Sequence, residues 1–209
     1  MIHLIVALPA EARGLARGLG LRKERDARES RQIYRGVGLN LVVSGPGRHR
    51  AARAVDSIAE QVESRRLQGW LNVGIAGHPD LAPGTCLLAD EIQGSTTGQS
   101  WWPTIPFQSN CLRASVRTVD RPETDFAARA AYDMEAAGFF AAASRIATPG
   151  LVQVLKVVSD NPGDDLECLT ASRVETLMLD ACSSIADLLG QLEAHAVSVR
   201  SRRLKEESR

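Results

Sequence analysis

The chain predicts an α/β fold in a single domain, and three observations carry that prediction. Short apolar runs alternate with stretches of helical spacing, glycine and proline turns punctuate the alternation, and 209 residues at 44% hydrophobic and 24% charged suit one sizeable core. Residues 2–8 are almost continuously apolar, as in a strand covered on both faces, and residues 10–19 are rich in Ala, Leu and Arg at helical spacing. The mixed charge run from Arg22 to Arg31 reads as a solvated face or loop. Gln32–Arg35 and Leu39–Ser44 flank Gly36-Val37-Gly38 and predict a hairpin. Ser44-Gly45-Pro46-Gly47 opens a helix through about Glu63, and Trp70–Val73 is a short strand expected to end in a turn at Gly74-Ile75-Ala76-Gly77. Further strands are expected at Gly84–Ile92, Leu112–Val119 and 151–158, and helices at 124–131, 134–147 and 167–190. Residues 195–209, rich in Arg, Ser and Glu, read as a flexible tail behind a domain spanning 1–194.

Composition narrows the function. Lys and Arg together number 25 and so do Asp and Glu, so there is no concentrated basic charge for nucleic acid or an anionic membrane. A small-molecule ligand is favoured by elimination. The apolar opening is too short for a membrane span and stops at Pro9 and Glu11. Cys86, Cys111, Cys168 and Cys182 are widely spaced and form no CxxC pair, which suits reduced thiols in a cytoplasm. Ser44-Gly45-Pro46-Gly47-Arg48-His49-Arg50 fails the dinucleotide fingerprint because Arg50 holds the third glycine place, and no GxxxxGK[ST] occurs. A helix start preceded by Ser44 and Gly45, with Arg48 nearby, remains a candidate anion or water site.

Three acidic positions stand in apolar surroundings: Glu11 after the first strand, Glu135 in Tyr132-Asp133-Met134-Glu135, and Asp160 in Val157-Val158-Ser159-Asp160-Asn161. A desolvated carboxylate is costly, so such groups tend to be paired, hydrogen-bonded or engaged with a ligand. Carboxylates converging on one pocket are the equipment for breaking a glycosidic bond, whose rupture puts positive charge on the sugar and negative charge on the departing base. Each also has a structural reading. Glu11 suits the first turn of a helix, Glu135 suits an ion pair, and Asp160 heads the good turn sequence Asp-Asn-Pro-Gly. At period two, Lys156 shares a strand face with Val158 and Asp160, either close to the carboxylates or reaching solvent.

Taken in order, Ala7-Leu8-Pro9-Ala10-Glu11, Ser44-Gly45-Pro46-Gly47 with Ala51-Ala52, Asn72-Val73-Gly74-Ile75-Ala76-Gly77, Met134-Glu135-Ala136 and Ser159-Asp160 resemble the nucleoside phosphorylase and nucleosidase superfamily. The branch most resembled is that of the 5′-methylthioadenosine/S-adenosylhomocysteine nucleosidases, and the resemblance spans roughly residues 2 to 190. It implies a mixed, partly barrel-like central sheet flanked by helices, homodimers or larger homo-oligomers, and cleavage of the N-glycosidic bond of a purine nucleoside. No cofactor is implied beyond inorganic phosphate in the phosphorylases, and no metal. The implied roles are Asp160 as proton donor to the purine, Glu135 as ribose clamp with Met134 against the sugar, and Glu11 as water activator. Ser159, Asn161, Ala76, Gly77 and Lys156 are implied to surround the substrate. Phosphorylases of this superfamily often place an arginine where Asn72 stands, so hydrolysis is favoured over phosphorolysis, and a non-catalytic nucleoside-binding protein is the alternative of a different class.

The chain departs from that pattern between Val119 and Asp133, which is short and lacks a base-stacking phenylalanine; Phe126, Phe139 and Phe140 are substitutes, although helical spacing favours a core role. Together with Thr118-Val119-Asp120-Arg121-Pro122, the shortening resembles the hopanoid-associated nucleosidase-like branch, whose implied substrate carries a large apolar 5′ group. Futalosine hydrolase is a further relative, with asparagine where Asp160 stands. Trp101 and Trp102 fall on an expected loop and are candidates for a ligand or subunit contact. His78 stands at a pocket edge or on a turn.

Overall fold

The computed structural model describes residues 1–24, 31–164 and 168–207. β1 (Ile2–Val6) leads through Leu8 to α1 (Pro9–Gly18), where Pro9 at the first helical turn is pre-set for the helix. β2 (Arg22–Lys23), β3 (Ile33–Gly36) and β4 (Leu39–Val43) follow, with β3 and β4 forming the expected antiparallel hairpin. Arg22 and Lys23 are exposed; residues 25–30 of the charge run lie outside the described residues. α2 (Arg48–Gln61) and a short 3₁₀ turn (Arg65–Leu67) lead to β5 (Gly69–Gly77). Then come β6 (Cys86–Gly94), β7 (Ser100–Trp101), β8 (Leu112–Thr118), β9 (Ala131–Asp133), α3 (Ala136–Ser144), β10 (Val152–Asp160), α4 (Ala171–Asp180) and α5 (Cys182–Glu207).

The sheet closes on itself. β5 pairs parallel with β10, β10 antiparallel with β6, β6 and β8 parallel, β8 and β9 parallel, and β9 antiparallel with β5. This five-stranded mixed barrel continues from β5 into β1, β4, β3 and β2. The strand period of two sends Leu4 and Val6 to one face and Ile5 to the other. On the first face they pack with Leu15 of α1, Met178 of α4 and Ile185, Leu188, Leu189 and Leu192 of α5, which recur at one-face helical spacing. On the second, Ile5 packs with Val55 and Ile58 of α2 and Phe139 and Phe140 of α3. Phe139 and Phe140 are therefore core residues.

Four expectations are corrected. Gly74–Gly77 is not a turn, because β5 runs through it with Lys156 opposite Gly74 and Asp160 opposite Gly77. Residues 124–130 form no helix: Phe126 sits at φ +45°, the amide of Ala128 donates to the Tyr132 hydroxyl (2.7 Å), and Ala131 pairs with Val116 in the sheet. Their alanine-rich composition favours helix, but so short a helix is marginal and sheet closure overrides it. The expected closing helix breaks at Ala181 into α4 and α5. Finally, α5 carries the expected tail onward as helix to Glu207, with Ala196 buried and Arg200 donating to the Leu67 carbonyl (3.2 Å).

Candidate active site

A cavity of about 280 Å³ opens at the carboxyl ends of β1, β5 and β10, the end of a parallel array where ligands commonly bind. Ala7, Leu8, Ile75, Ala76, Val119 and Leu169 give it apolar walls, while Glu11, Asp133, Glu135 and Asp160 bring carboxylates to it. Met134, Gly77 and Ser159 also line it.

Glu11 does two jobs at once. Its Oε2 accepts from the amides of Ala7 (2.8 Å) and Leu8 (2.7 Å), satisfying donors left over at the start of α1. Its Oε1 accepts from the amide of Ile75 in β5 (3.0 Å). One side chain thus closes the first turn of α1 and also reaches the cavity. Burial pushes its pKa up, against the pull of these N–H donors and of Lys156. The close approach requires Gly74, because a Cβ there would lie 2.9 Å from Glu11 Oε1.

Glu135 immediately precedes α3 and reaches across to α2, where its Oε1 accepts from the Gly47 amide (2.7 Å). The helix start expected to attract an anion thus meets a carboxylate of the protein itself. Burial raises the Glu135 pKa to about 7; Lys156 and the Gly47 amide pull it down, and Asp133 and Glu11 push it up.

Asp160 ends β10 at a bulge, for the register with β5 slips between Val158 and Asp160. The bulge brings both Ser159 and Asp160 to the cavity, so the simple alternation from Lys156 does not hold across it. The Ser159 hydroxyl donates to Asp160 Oδ1 (2.5 Å). Gly77 makes room on the other side, since a Cβ there would stand 2.8 Å from Asp160 Oδ2 and from Phe126 Cε1. Phe126 meets Tyr132 edge-to-face at 5.5 Å behind this wall.

Lys156 neither reaches solvent nor lines the cavity: it is 1% exposed, and its Nζ lies 2.7 Å from Asp133 Oδ2. Burial alone would lower its pKa, but Asp133, Glu135 and Glu11 reverse that and raise it. Asp133 is the residue to which the sequence reading gave no role. Its Oδ2 also accepts from the amides of Glu135 (3.1 Å) and Ala136 (2.7 Å) at the start of α3, and its Oδ1 accepts from the Thr118 hydroxyl (2.7 Å). Its signal was available: an acid between an aromatic strand and the first turn of an alanine-rich helix is a capping position.

Other expected residues lie elsewhere. Asn161 stands behind the cavity, its side-chain amide donating to the carbonyls of His78 and Leu81 (2.5 and 2.9 Å) and so tying that loop to β10. His78 is buried on its turn, and its Nδ1 accepts from the amides of Asp80 and Leu81 (both 3.1 Å). Ser44 Oγ lies 3.1 Å from the Val6 carbonyl and 2.8 Å from the Gly45 carbonyl, and Arg48 approaches Asp120 at 3.6 Å. Neither Ser44, Gly45 nor Arg48 lines the cavity, although Pro46 does. Asn72 is buried and donates to the Ile5 carbonyl (3.0 Å), bridging β5 to β1 away from the cavity. Trp101 packs on the core as part of β7, Trp102 is 69% exposed, and neither lines the cavity within one chain. Among the described residues no cluster of three or more His, Cys, Asp and Glu side chains is arranged to hold a metal ion. No helix there is long and apolar enough to cross a membrane.

Fold and cavity together define the class of structure to which the chain is similar. The fold matches that of the 5′-methylthioadenosine nucleosidase of Arabidopsis thaliana, with TM-score 0.73 and 16% identity over 91% of this chain and 95% of that one. It also matches the 5′-methylthioadenosine/S-adenosylhomocysteine nucleosidase of Colwellia psychrerythraea 34H, solved in complex with adenine, at TM-score 0.70 and 21% identity over 91% and 95% of the two chains. Futalosine hydrolase of Helicobacter pylori gives TM-score 0.69 and 15% identity over 91% and 97%. These structural neighbours lie in the nucleoside phosphorylase and nucleosidase superfamily, and the chain shares their fold. No protein-family model matches the chain and no curated protein matches it by sequence.

Proposed function

We propose that the chain is a nucleosidase that hydrolyses the N-glycosidic bond of a purine nucleoside in the cytoplasm. The observation that carries this reading is one apolar cavity reached by Glu11, Glu135 and Asp160, each from a different element and each fixed by a hydrogen bond. Apolar walls exclude water and strengthen every charge interaction inside.

Asp160 is the acid. With Ser159 donating to Oδ1, a proton carried by the carboxyl sits on Oδ2 and passes to a ring nitrogen of the purine as the base leaves. Glu135 keeps lone pairs beyond its bond to Gly47 to accept the ribose hydroxyls, and its negative charge favours the cationic sugar. Glu11, held on both oxygens by backbone amides, takes a proton from the water that attacks the anomeric carbon. Burial makes its carboxylate the stronger base. Base and free sugar leave, and the two carboxyls return to their starting states by proton exchange with solvent.

Phosphorolysis is the less favoured reading because the candidate anion groups are already engaged: Gly47 with Glu135, Arg48 with Asp120. We further infer homo-oligomers, with Trp102 at the subunit contact. The test of the central reading is release of free base from adenosine, methylthioadenosine and bulky 5′-substituted adenosines, with and without phosphate, by wild type and Asp160→Asn. Phosphate-independent release that falls about 10²–10⁴-fold in Asp160→Asn is expected. Full activity in the variant removes the acid, and dependence on phosphate replaces the hydrolase with a phosphorylase.

A further inference from the structure

One pair of side chains lies outside both the cavity and the mechanism. Cys86 heads β6 and Cys111 immediately precedes β8, and the two strands run parallel with Leu87 opposite Leu112. The ladder therefore sets Cys86 and Cys111 side by side one step earlier. Neighbouring strands are about 4.8 Å apart, inside the roughly 4.4–6.8 Å between Cα atoms that a disulfide spans. Both side chains turn to the face that carries Leu88 and α5, and the thiol of one is hydrogen-bonded to the sulfur of the other. Cys182, a third thiol on that face, is engaged elsewhere: its Sγ donates to the carbonyls of Met178 in α4 (3.2 Å) and Gly14 in α1 (3.8 Å). A buried cysteine alone is an ordinary small apolar residue, but two sulfurs in contact across a ladder are placed to react with each other.

We propose that Cys86 and Cys111 form a modification site for peroxide, in which Cys111 reacts first and Cys86 closes a disulfide onto it. The surroundings of the two thiols assign these roles. The bond from Cys86 pulls the Cys111 pKa down, and the Ser109 hydroxyl and Arg113 add to that pull, against burial and Asp187. The same bond and burial push Cys86 up. Cys111 is only 7% exposed while Cys86 is half-buried, an opening that suits hydrogen peroxide better than a bulky disulfide oxidant. In the first step the Cys111 thiolate attacks one peroxide oxygen; the S–O bond forms, the O–O bond breaks, and hydroxide leaves. In the second, the Cys86 sulfur attacks the sulfenic sulfur; the S–S bond forms, the S–O bond breaks, and the departing hydroxide takes the thiol proton. Two thiols and one peroxide thus give one disulfide and two waters. The bond would staple the ends of segment 87–110, which carries β7 and Trp102, and a dithiol reductant would release it.

The experiment treats the reduced, folded protein with hydrogen peroxide at pH 7, alkylates the remaining thiols at intervals, and maps them by mass spectrometry after cleavage at glutamates. Glu91, Glu167 and Glu175 separate the four cysteines, so each thiol falls on its own fragment. The fragments of Cys86 and Cys111 should appear joined, about 2 Da lighter than their sum, and the joining should run about tenfold faster than oxidation of the exposed Cys168. A dithiol should separate them again. In Cys86→Ser the reaction should stop at a sulfenic acid on Cys111, which dimedone captures. Oxidation of Cys168 first, with Cys86 and Cys111 still alkylated as thiols, overturns the proposal, and so does a bond from Cys86 to Cys182. If Cys86→Ser does not fold, the fragments of the wild type decide alone. No substrate enters this measurement, so a wild type that cleaves no nucleoside would sink the hydrolase reading and leave the thiol result standing.

Discussion

The two ends of the parallel strands bury polar groups in opposite ways. At the amino end, His3, Asn40 and Trp70 are register partners on β1, β4 and β5. His3 Nε2 donates to Gln68 Oε1 (2.5 Å), its Nδ1 accepts from Asn40 Nδ2 (3.2 Å), and its ring lies 4.6 Å from that of Trp70. Burial lowers the His3 pKa to about 4, so this network is neutral at pH 7. Toward the carboxyl end are buried Glu11 of α1, Asp133 of β9, Glu135 just before α3 and, half-way along β10, Lys156. Neutral hydrogen bonds suffice to fix register and tie strands together, as the His3 network does. Charge retained at the other end, in an apolar cavity, points to a ligand that develops charge.

The sharpest break of that comparison is the pH dependence of stability, where the two ends run in opposite directions. His3 binds its proton more tightly when unfolded, so stability is complete above about pH 6.5 and is lost as pH falls toward its folded value near 4. Glu135 binds its proton more tightly when folded, so its contribution is complete below its ordinary value near 4.5 and is lost as pH rises toward 7; Glu11 adds to the same slope. At about 1.4 kcal/mol per unit, His3 and Glu135 are each worth up to about 3 kcal/mol. Urea unfolding from pH 4.5 to 6.5 should therefore show the slope of stability against pH shifted upward in Glu135→Gln and downward in His3→Leu, with wild type between them. Parallel slopes in the two variants would erase the distinction between the ends.

A smaller effect comes from the two ends of one strand. At Gly77, beside the cavity, a Cβ would stand 2.8 Å from Asp160 Oδ2 and from Phe126 Cε1, and neither neighbour can retreat without disturbing the site. At Gly69, on the amino end of β5, the nearest atoms are Ile2 Cγ1 at 3.0 Å and Leu192 Cδ2 at 3.1 Å, atoms of aliphatic side chains that can shift by a few tenths of an ångström. Gly77→Ala should cost about 1–3 kcal/mol and most of the base release, and Gly69→Ala less than about 1 kcal/mol with release intact. Equal costs in thermal unfolding would mean that crowding, not the carboxylate, set the glycine at Gly77.

The same contrast explains what was legible in the sequence. Strands buried on both faces, such as β1 and β10, announce themselves by unbroken apolar runs, and the acids at Glu11, Glu135 and Asp160 stand out against them. The polar residues that do not reach the cavity were harder to place. Lys156 is 23 positions from Asp133 and Asp133 is 15 from Thr118, and the closed barrel brings β9 and β10 together through β5. The segment 124–131 misled for a local reason, since alanine-rich composition speaks for helix while the bond from Ala128 to Tyr132 and the ladder at Ala131 are invisible in propensity. Gly74 and Gly77 read as turn glycines because a strand glycine reveals its purpose only when the side chain facing it is known.

The smallest effect lies outside both ends. Trp102 is 69% exposed, whereas Trp70 is fully buried against His3, so the two tryptophans should separate stability from assembly. Trp102→Ser should change the unfolding free energy of the single chain by less than about 0.5 kcal/mol, since an exposed side chain loses little packing when truncated. Trp70→Phe should cost more, removing part of a buried ring and its indole donor to the Arg65 carbonyl (3.4 Å). If Trp102 belongs to the proposed subunit contact, its truncation shifts sedimentation toward the single chain while the pH slopes at both ends stay as in wild type. An unchanged sedimentation coefficient would remove Trp102 from that contact, and a large loss of single-chain stability would mean that its ring is covered in solution by the chain's own surface.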